Sequence, residues 1–128
     1  KIAAEVGVTE GTVRGRIKRM EDEGKIRIKA ISNIHRLANP TLAYIWIEVD
    51  KSSQIRAVAD ALAQVTEIGF VGVMMGRDDI LAITMVQDNS QLARFIHSTI
   101  SGIAGVRRSD CSLGVNFIKH DYRISRIV

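Results

Sequence analysis

The sequence predicts an α+β protein in two parts: a helix-turn-helix remnant over residues 1–30 and a ferredoxin-like β-α-β-β-α-β sandwich over residues 41–128. The first part has apolar residues at helical spacing, interrupted by glycine and threonine where helices end and begin. The second part alternates short apolar strands with two helical segments. Residues 31–40, which contain the only proline, Pro40, are predicted to link the two parts.

The first part is predicted to contain two helices and a strand. Residues 1–6 favour a helix, which Gly7 ends by adopting the left-handed conformation. Thr9 is a good N-cap for a second helix, and Gly24 closes that helix. Alternating polar and apolar residues over 25–31 then predict a short strand. The apolar side of the second helix consists of Val13, Ile17 and Met20.

The second part alternates strands and helices in ferredoxin-like order. The strands are short apolar runs, and the helices have apolar residues three and four positions apart. Asn89 or Ser90 is predicted to cap the second of these helices. A tight turn through Arg77, Asp78 and Asp79 joins the two middle strands. The predicted strands are Leu42–Asp50, Phe70–Gly76, Ile80–Gln87 and Arg107–Lys119, and the predicted helices are Gln54–Val65 and Ser90–Ser101.

Both faces of the two middle strands are apolar. In a ferredoxin-like sheet the two helices lie on the same face, so one apolar set of side chains is left uncovered. A second copy of the sheet is the simplest cover, which predicts a homodimer or a higher oligomer such as a tetramer or octamer. On the first of these strands Val71, Val73 and Met75 alternate with Phe70, Gly72 and Met74, and on the second Leu81, Ile83 and Met85 alternate with Ile80, Ala82 and Val86.

The composition is typical of a folded protein, with 46% hydrophobic and 25% charged residues. No apolar run reaches the roughly 20 residues that span a bilayer, and no leader is visible, so we expect a cytoplasmic protein without a membrane segment. Cys111 is the only cysteine, which excludes an intrachain disulfide. Residues 1–29 hold eight of the 18 Lys and Arg residues but only five of the 14 acids. The net charge of +4 is therefore concentrated at one end of the chain.

The basic stretch of the second helix is a candidate surface for double-stranded DNA. A DNA-binding helix needs a small, capped N-terminus, side chains that reach base edges, and cations for phosphates. Gly11 permits close approach, and Thr12 and Arg14 can reach bases. The alternative is a solvated basic face on an ordinary helical hairpin. The candidate residues are Thr9, Glu10, Gly11, Thr12, Arg14, Arg16, Lys18 and Arg19, of which the last three can neutralise phosphates.

This stretch resembles the helix-turn-helix of the leucine-responsive and asparagine-responsive regulators, the Lrp/AsnC family. The family pattern is L-A-x-x-V-G-[LV]-S-x-x-T-V-x-x-R-I-x-x-L-E-x-x-G-V-I. The resemblance implies a DNA-binding transcription regulator, not an enzyme, whose ferredoxin-like domain senses a small-molecule effector, by family analogy an amino acid. The residues that follow the pattern are Ile2, Ala3, Val6, Gly7, Val8, Thr9, Thr12, Val13, Arg16, Ile17, Met20, Glu21, Gly24 and Ile26.

The family pattern is normally preceded by a further helix, about fifteen or more residues long. We expect the native protein to carry this helix before Lys1, because a helix-turn-helix without its first helix has an exposed core. The alternative is a sensor or assembly module without DNA binding.

The segment Met75–Leu81 resembles the family's G-[DE]-x-D turn, which is part of its amino-acid effector site at the interface between dimers. Gly76 and Asp79 match the pattern, whereas Arg77 and Asp78 depart from it. The resemblance implies that these four residues bind the effector. A glycine turn offers N–H groups to a carboxylate, and a carboxylate side chain can bind an ammonium group. The alternative is an ordinary hairpin turn.

No other residues indicate a catalytic site, a cofactor or a metal. Cys111 is predicted to be a buried structural thiol. Tyr44 and Trp46 are predicted to lie in a dimer core rather than to stack on RNA bases. A siroheme-decarboxylase-like enzyme is an alternative for this two-domain architecture, but no histidine lies beside the predicted hairpin. The three histidines, His35, His97 and His120, share no metal-ligand spacing.

Overall fold

The computed structural model describes residues 1–33 and 40–119. The chain divides into two compact units; the first contains Lys1–Ser32, and the second contains the described residues between Asn33 and Ile118. The predicted linker, residues 31–40, lies mostly outside the described residues. Among the helices of the described residues, none is both long enough and apolar enough to cross a membrane.

The first unit contains two helices, α1 (Ile2–Val6) and α2 (Glu10–Asp22), where the sequence predicts them. Gly7 ends α1 in the left-handed conformation, with a φ of 66°, where a side chain would be strained. Thr9 precedes α2 in the extended conformation that an N-cap residue adopts. The left-handed conformation of Gly7 and the capping position of Thr9 therefore set the boundary between the two helices.

The C-terminus of α2 is a Schellman motif built on Gly24, whose φ is 67°. The Lys25 N–H donates to the Met20 carbonyl over 2.8 Å, and the Gly24 N–H donates to the Glu21 carbonyl over 3.0 Å. The strand predicted over residues 25–31 is wrong, since this segment has no regular secondary structure. A strand needs a hydrogen-bonded neighbour, and no described segment pairs with this one.

The second unit is an antiparallel sheet with helices packed on one face, which confirms the ferredoxin-like order. Its elements are β1 (Thr41–Val49), α3 (Ile55–Ala63), β2 (Ile68–Val73), β3 (Ile80–Val86), α4 (Asn89–Phe95) and β4 (Val106–Leu113). The strand order is β2-β3-β1-β4. The inner strands are thus β3 and β1, and β2 lies at an edge of the sheet.

The two edge strands are shorter than predicted. The strand β2 ends at Val73, because its pairing partner on β3 is Ile80, where that strand begins. The strand β4 ends at Leu113, which lies opposite Ala43 near the start of β1. The neighbouring strand therefore sets the length of β4, although the apolar alternation continues towards Lys119.

The helix α4 begins after Asp88, not after Asn89 or Ser90 as the sequence predicts. The Asp88 carboxylate accepts the Ser90 hydroxyl over 2.6 Å and the Gln91 backbone N–H over 2.7 Å. These hydrogen bonds, that from Ser90 first, lower the pKa of Asp88 below its ordinary value. At its other end α4 continues as one π-helical turn, Ile96–Ile100.

The core lies between the sheet and the two helices. Alternate residues of β1 and β3 face the helices, and Ile45 and Ile47 are completely buried. Thr84 is the buried polar residue of this core; its hydroxyl donates to the Glu67 carbonyl over 2.6 Å, so it is satisfied. The buried apolar residues are Ala43, Ile45, Ile47, Val49, Val58, Ala59, Leu62, Ile80, Ala82, Val86, Leu92 and Ile100.

Candidate DNA-recognition helix and effector turn

Two threonines define the start of α2. The Thr9 Oγ1 accepts the backbone N–H of Thr12 over 3.3 Å and lies 2.9 Å from the Thr12 hydroxyl. The Thr12 side chain therefore belongs to the cap as well as being a candidate base contact. Glu10 and Gly11 are exposed beside it. The N-terminal turn of α2 thus presents short side chains to solvent, apart from Glu10, whose charge suits a helix N-terminus.

The cations of α2 are exposed. The side chains of Arg14, Arg16 and Arg19 form no hydrogen bond or ion pair with the residues that the structure describes. Lys18 differs, because its Nζ lies 3.2 Å from the Asp22 Oδ2, one helical turn away. An exposed pair of this kind stabilises a helix by only about 0.3–0.5 kcal/mol. A phosphate group can therefore compete with Asp22 for Lys18.

The side of α2 opposite its apolar residues carries two glycines, Gly11 and Gly15, one turn apart. A glycine inside a helix costs about 1 kcal/mol relative to alanine. A Cβ built at Gly15 would meet no atom within 4 Å, so packing does not require glycine there. The bare backbone leaves room for close approach by DNA. The candidate residues predicted from the sequence include Gly11 but not Gly15, although a glycine in the middle of a helix was the available signal.

The side of α2 that faces away from Gly11 and Gly15 is apolar and only half-buried. Val13, Ile17 and Met20 share this side, and neither α1 nor α2 contains a fully buried residue. In α1, Ile2 and Val6 are 59% and 60% exposed. The first unit therefore presents an apolar surface as well as a basic one.

The turn between β2 and β3 is hydrogen-bonded to the end of β1. The Met74 N–H donates to the Asp79 carbonyl over 2.8 Å, and the Asp79 N–H donates to the Ile47 carbonyl over 3.0 Å. The Asp79 Oδ2 accepts the Val49 N–H over 2.9 Å. Gly76 has a φ of 154°, a conformation that favours glycine. Asp79 is thus bound to the sheet through both its backbone and its side chain.

Arg77 and Asp78 occupy a different environment from Asp79. Arg77 is exposed and Asp78 is half-buried. Within the described part of the chain, neither side chain forms a hydrogen bond or an ion pair. The structure therefore brings the four predicted effector residues into one turn, but the side chain of Asp79 is already used by the fold.

A second charged cluster lies at the same end of the sheet as the turn. The pairing of β1 with β4 shifts register between Glu48 and Val49, which marks a β-bulge. Arg107 forms a close ion pair with Glu48, the Arg108 Nε lies 3.9 Å from the Glu48 Oε2, and Arg108 also pairs with Asp110 over 2.6 Å. This cluster could not be predicted from the sequence, because two consecutive arginines do not reveal the bulge that brings both to one carboxylate.

A groove of about 590 Å³ lies between α4 and the edge strand β4. Cys111, which the sequence predicts to be buried, is exposed and lines this groove, because β4 is an edge strand that α4 does not cover. His97 lines the same groove. Within the described ranges, no group of three or more His, Cys, Asp and Glu residues could hold a metal ion. His35 and His120 lie outside those ranges.

The face of the sheet opposite the helices is apolar, and among the described residues of the second unit no helix covers it. Tyr44 and Trp46 of β1 are half-buried on this face. Met85 of β3 is 53% exposed, and Phe70 of β2 is 48% exposed. Apolar surface of this kind is typical of interaction sites.

Two family models match the chain. Residues 37–127 match the C-terminal dimeric alpha+beta barrel domain of AsnC-type regulators, and residues 1–27 match a winged helix-turn-helix DNA-binding domain. The chain belongs to the Lrp/AsnC family of transcription regulators. The two matched segments lie in the order of the two units, with the helix-turn-helix first.

Relatives of the chain are regulators rather than enzymes. An uncharacterized HTH-type transcriptional regulator of Pyrococcus abyssi is 31% identical over 123 residues, which cover 95% of this chain and 77% of the relative. This relationship gives no support to the siroheme-decarboxylase-like alternative.

Solved structures of the family share the fold. Escherichia coli AsnC superposes with a TM-score of 0.82 at 16% identity, covering 93% of this chain and 80% of that one. A transcriptional regulator of Neisseria meningitidis, in complex with L-methionine, gives a TM-score of 0.82 at 20% identity and covers 96% of this chain and 81% of its own. At these identities the similarity establishes the fold alone.

Proposed function

We propose that this protein is a dimeric, cytoplasmic regulator that inserts α2 into the major groove of DNA and responds to an amino acid bound at the turn Gly76–Asp79. The observation that carries the proposal is α2 itself, a capped helix with exposed Arg14, Arg16 and Arg19. Phosphate contacts by these cations supply most of the affinity, and Thr12 and Arg14, near the helix N-terminus, contact base edges.

The open face of the sheet supports the dimer. Tyr44 and Trp46 belong to an apolar surface that a second copy of the sheet would bury, and the matched family domain is described as dimeric. A dimer presents two copies of α2 to half-sites about 34 Å apart on one side of the duplex.

Sedimentation at micromolar concentration tests the dimer. We expect a species of at least twice 14.1 kDa. Met85→Asp places a charge on the open face and should shift the protein towards monomer. Ala57→Asp, on the exposed side of α3, is the matched control and should not. A wild-type protein that sediments only as a 14 kDa species would refute the dimer.

Two lines of support favour an amino acid as the effector. The turn combines a glycine, a cation and two carboxylates within four residues, so it offers donors to a carboxylate and acceptors to an ammonium group. The Neisseria meningitidis regulator with the same fold binds L-methionine.

DNA binding is tested by titrating the full-length protein with duplex from upstream of its own gene, at salt concentrations from about 50 to 200 mM. Arg14→Ala should relax sequence preference. Arg19→Ala and Lys18→Ala should weaken binding to all sequences and reduce the salt slope by about one each. Lys51→Ala removes an exposed cation from the second unit and is the control, for which we expect no change.

Two results would contradict the assignment. If the variants in α2 bind like the wild type at every salt concentration, α2 is not the recognition helix. If the wild type does not bind duplex DNA even at low salt, the protein is a sensor or assembly module instead.

A further inference from the structure

We propose that the outer edge of β4 pairs with the β4 edge of a second copy of this chain, in an antiparallel register centred on Ser109. The contact joins the two four-stranded sheets into one continuous sheet. It is separate from the sheet-face dimer proposed above, because it uses the backbone groups of an edge strand rather than the apolar face. It also depends neither on DNA nor on an effector.

The two edge strands of the sheet differ in regularity. The strand β2 shifts register between Ile68 and Phe70, and Gly69 lies at this irregularity. In β4 the register with β1 is unbroken from Arg108 to Leu113. An irregular edge resists further pairing, whereas a regular edge presents evenly spaced N–H and C=O groups. Among the strands of the described residues, β4 is therefore the edge that suits a further strand.

Hydrogen bonding to β1 determines which backbone groups of β4 point outward. The Gly114 N–H donates to the Leu42 carbonyl over 2.8 Å, which fixes the alternation of this antiparallel ladder. By that alternation Arg108 and Asp110 use their backbone groups towards β1, whereas the N–H and C=O of Ser109 point away from it. Within the described part of the chain, no segment pairs with this outer edge. Ser109 can therefore exchange both hydrogen bonds with Ser109 of a second copy.

The charged side chains on either side of Ser109 complement each other across such a contact. Arg108 and Asp110 lie opposite Glu48 and Trp46 of β1, so both are on the face of the sheet away from the helices. A two-fold axis through the paired Ser109 residues places Arg108 of each copy directly opposite Asp110 of the other. These are non-hydrogen-bonded positions, where opposing side chains approach most closely. Opposite charges at such positions stabilise strand pairing.

The same charges select the register. If one strand slides by two residues, either Asp110 lies opposite Asp110 or Arg108 lies opposite Arg108, and like charges directly opposite are destabilising. In the single chain the two side chains pair with each other over 2.6 Å, and they are 57% and 60% exposed. An exposed pair of this kind contributes little to stability, so the two residues can exchange it for the two contacts across the edge.

The first test is disulfide trapping in the full chain. Ser109→Cys, in a Cys111→Ser background, places one thiol on each side of the two-fold axis. Cα atoms at a hydrogen-bonded pair are about 5.5 Å apart, within the range of about 4.4–6.8 Å that a disulfide spans. Ser112→Cys in the same background is the control, because the register separates the two substituted positions by about 20 Å. Under mild oxidation we expect a covalent pair of chains from Ser109→Cys and none from Ser112→Cys.

The second test reverses one charge at the edge. Asp110→Lys places like charges opposite each other twice in every contact, so it should weaken the edge association measured by sedimentation about tenfold or more. Asp60→Lys is the matched control on α3, since its side chain is 59% exposed, and it should leave the association unchanged. Equal melting temperatures of the variants and the wild type show that each is folded.

Three outcomes would overturn the inference. No trapping of Ser109→Cys, with the protein still sedimenting as a dimer, shows that the edge is unpaired or that another segment of the chain covers it. Equal trapping of Ser112→Cys shows that the register is wrong. Loss of the Ser109→Cys disulfide when Met85→Asp is added shows that the contact belongs to the sheet-face dimer, whereas we expect it to persist.

Discussion

Different interactions stabilise the two units of this protein internally. The first unit has no buried residue in either helix, and its helix ends are fixed by Thr9, Gly7 and Gly24. The second unit has a continuous apolar core between its sheet and its helices, in which Ile45 and Ile47 are completely buried. Local backbone chemistry defines the first unit, and side-chain burial defines the second.

A helix that contacts DNA exposes its cations and its backbone on one side. Among the described residues of the first unit, none buries the apolar residues on the other side of α2 completely. An isolated helix of 13 residues, the length of α2, is marginal in water. Substitutions should therefore have modest, local effects in the first unit and large, cooperative effects in the second.

The same substitution in both units tests this contrast most strongly. Ile45→Ala removes buried side-chain atoms and leaves a cavity, so it should lower the free energy of unfolding by about 2–5 kcal/mol. Ile17→Ala, at a half-buried site of α2, should cost clearly less. Urea unfolding is followed by the fluorescence of Trp46, the only tryptophan, for the second unit, and by helical circular dichroism for α2. Equal losses of unfolding free energy at the two sites would show that the two units do not differ in the way proposed.

A smaller effect is expected at the cap of α2. Thr9→Ala removes the acceptor for the Thr12 N–H and should destabilise α2 by about 1 kcal/mol, seen as faster amide hydrogen exchange in its first turn. Thr9→Ser keeps the hydroxyl and should restore protection. The unfolding transition reported by Trp46 should not move. If Thr9→Ala lowers the stability reported by Trp46 by as much as it lowers the stability of α2 reported by hydrogen exchange, the two units unfold together.

The smallest expected change in stability is an increase rather than a decrease. Gly15→Ala should stabilise α2 by about 0.5–1 kcal/mol, because it reduces the backbone freedom of the unfolded chain without a clash. The added methyl group faces the proposed DNA surface, so the affinity for DNA should fall. Circular dichroism melting and titration with duplex measure the two effects. A variant that is more stable and binds DNA as tightly as the wild type would show that Gly15 does not approach DNA.

Features that depend on the chain's own local chemistry could be predicted from the sequence. Gly7 and Thr9 marked the ends of helices, and the alternation of strands and helices gave the ferredoxin-like order. Features that depend on neighbours could not. The length of β4 follows from where β1 starts, and the exposure of Cys111 follows from the position of β4 at the edge of the sheet.

The effector turn shows the same limit. The sequence placed four candidate residues together, but it could not show that the Asp79 carboxylate is hydrogen-bonded to the N–H of Val49, which lies 30 positions away. The cap of α4 was missed for a different reason. Asp88, Asn89 and Ser90 are all good capping residues, so preference alone does not choose among them.

The β-bulge beside Glu48 has a consequence for how this sequence can change over time. A regular strand would place one residue opposite Glu48, whereas the bulge gives this carboxylate, whose side chain is only 26% exposed, two arginine partners. Substitution of Arg108 would leave Glu48 its close ion pair with Arg107, whereas substitution of Arg107 would leave only the 3.9 Å contact with Arg108, which also pairs with Asp110. Deletion of one residue there would remove an arginine and straighten the strand at once. We therefore expect the contact to survive substitution of Arg108 better than substitution of Arg107 or a deletion in this segment.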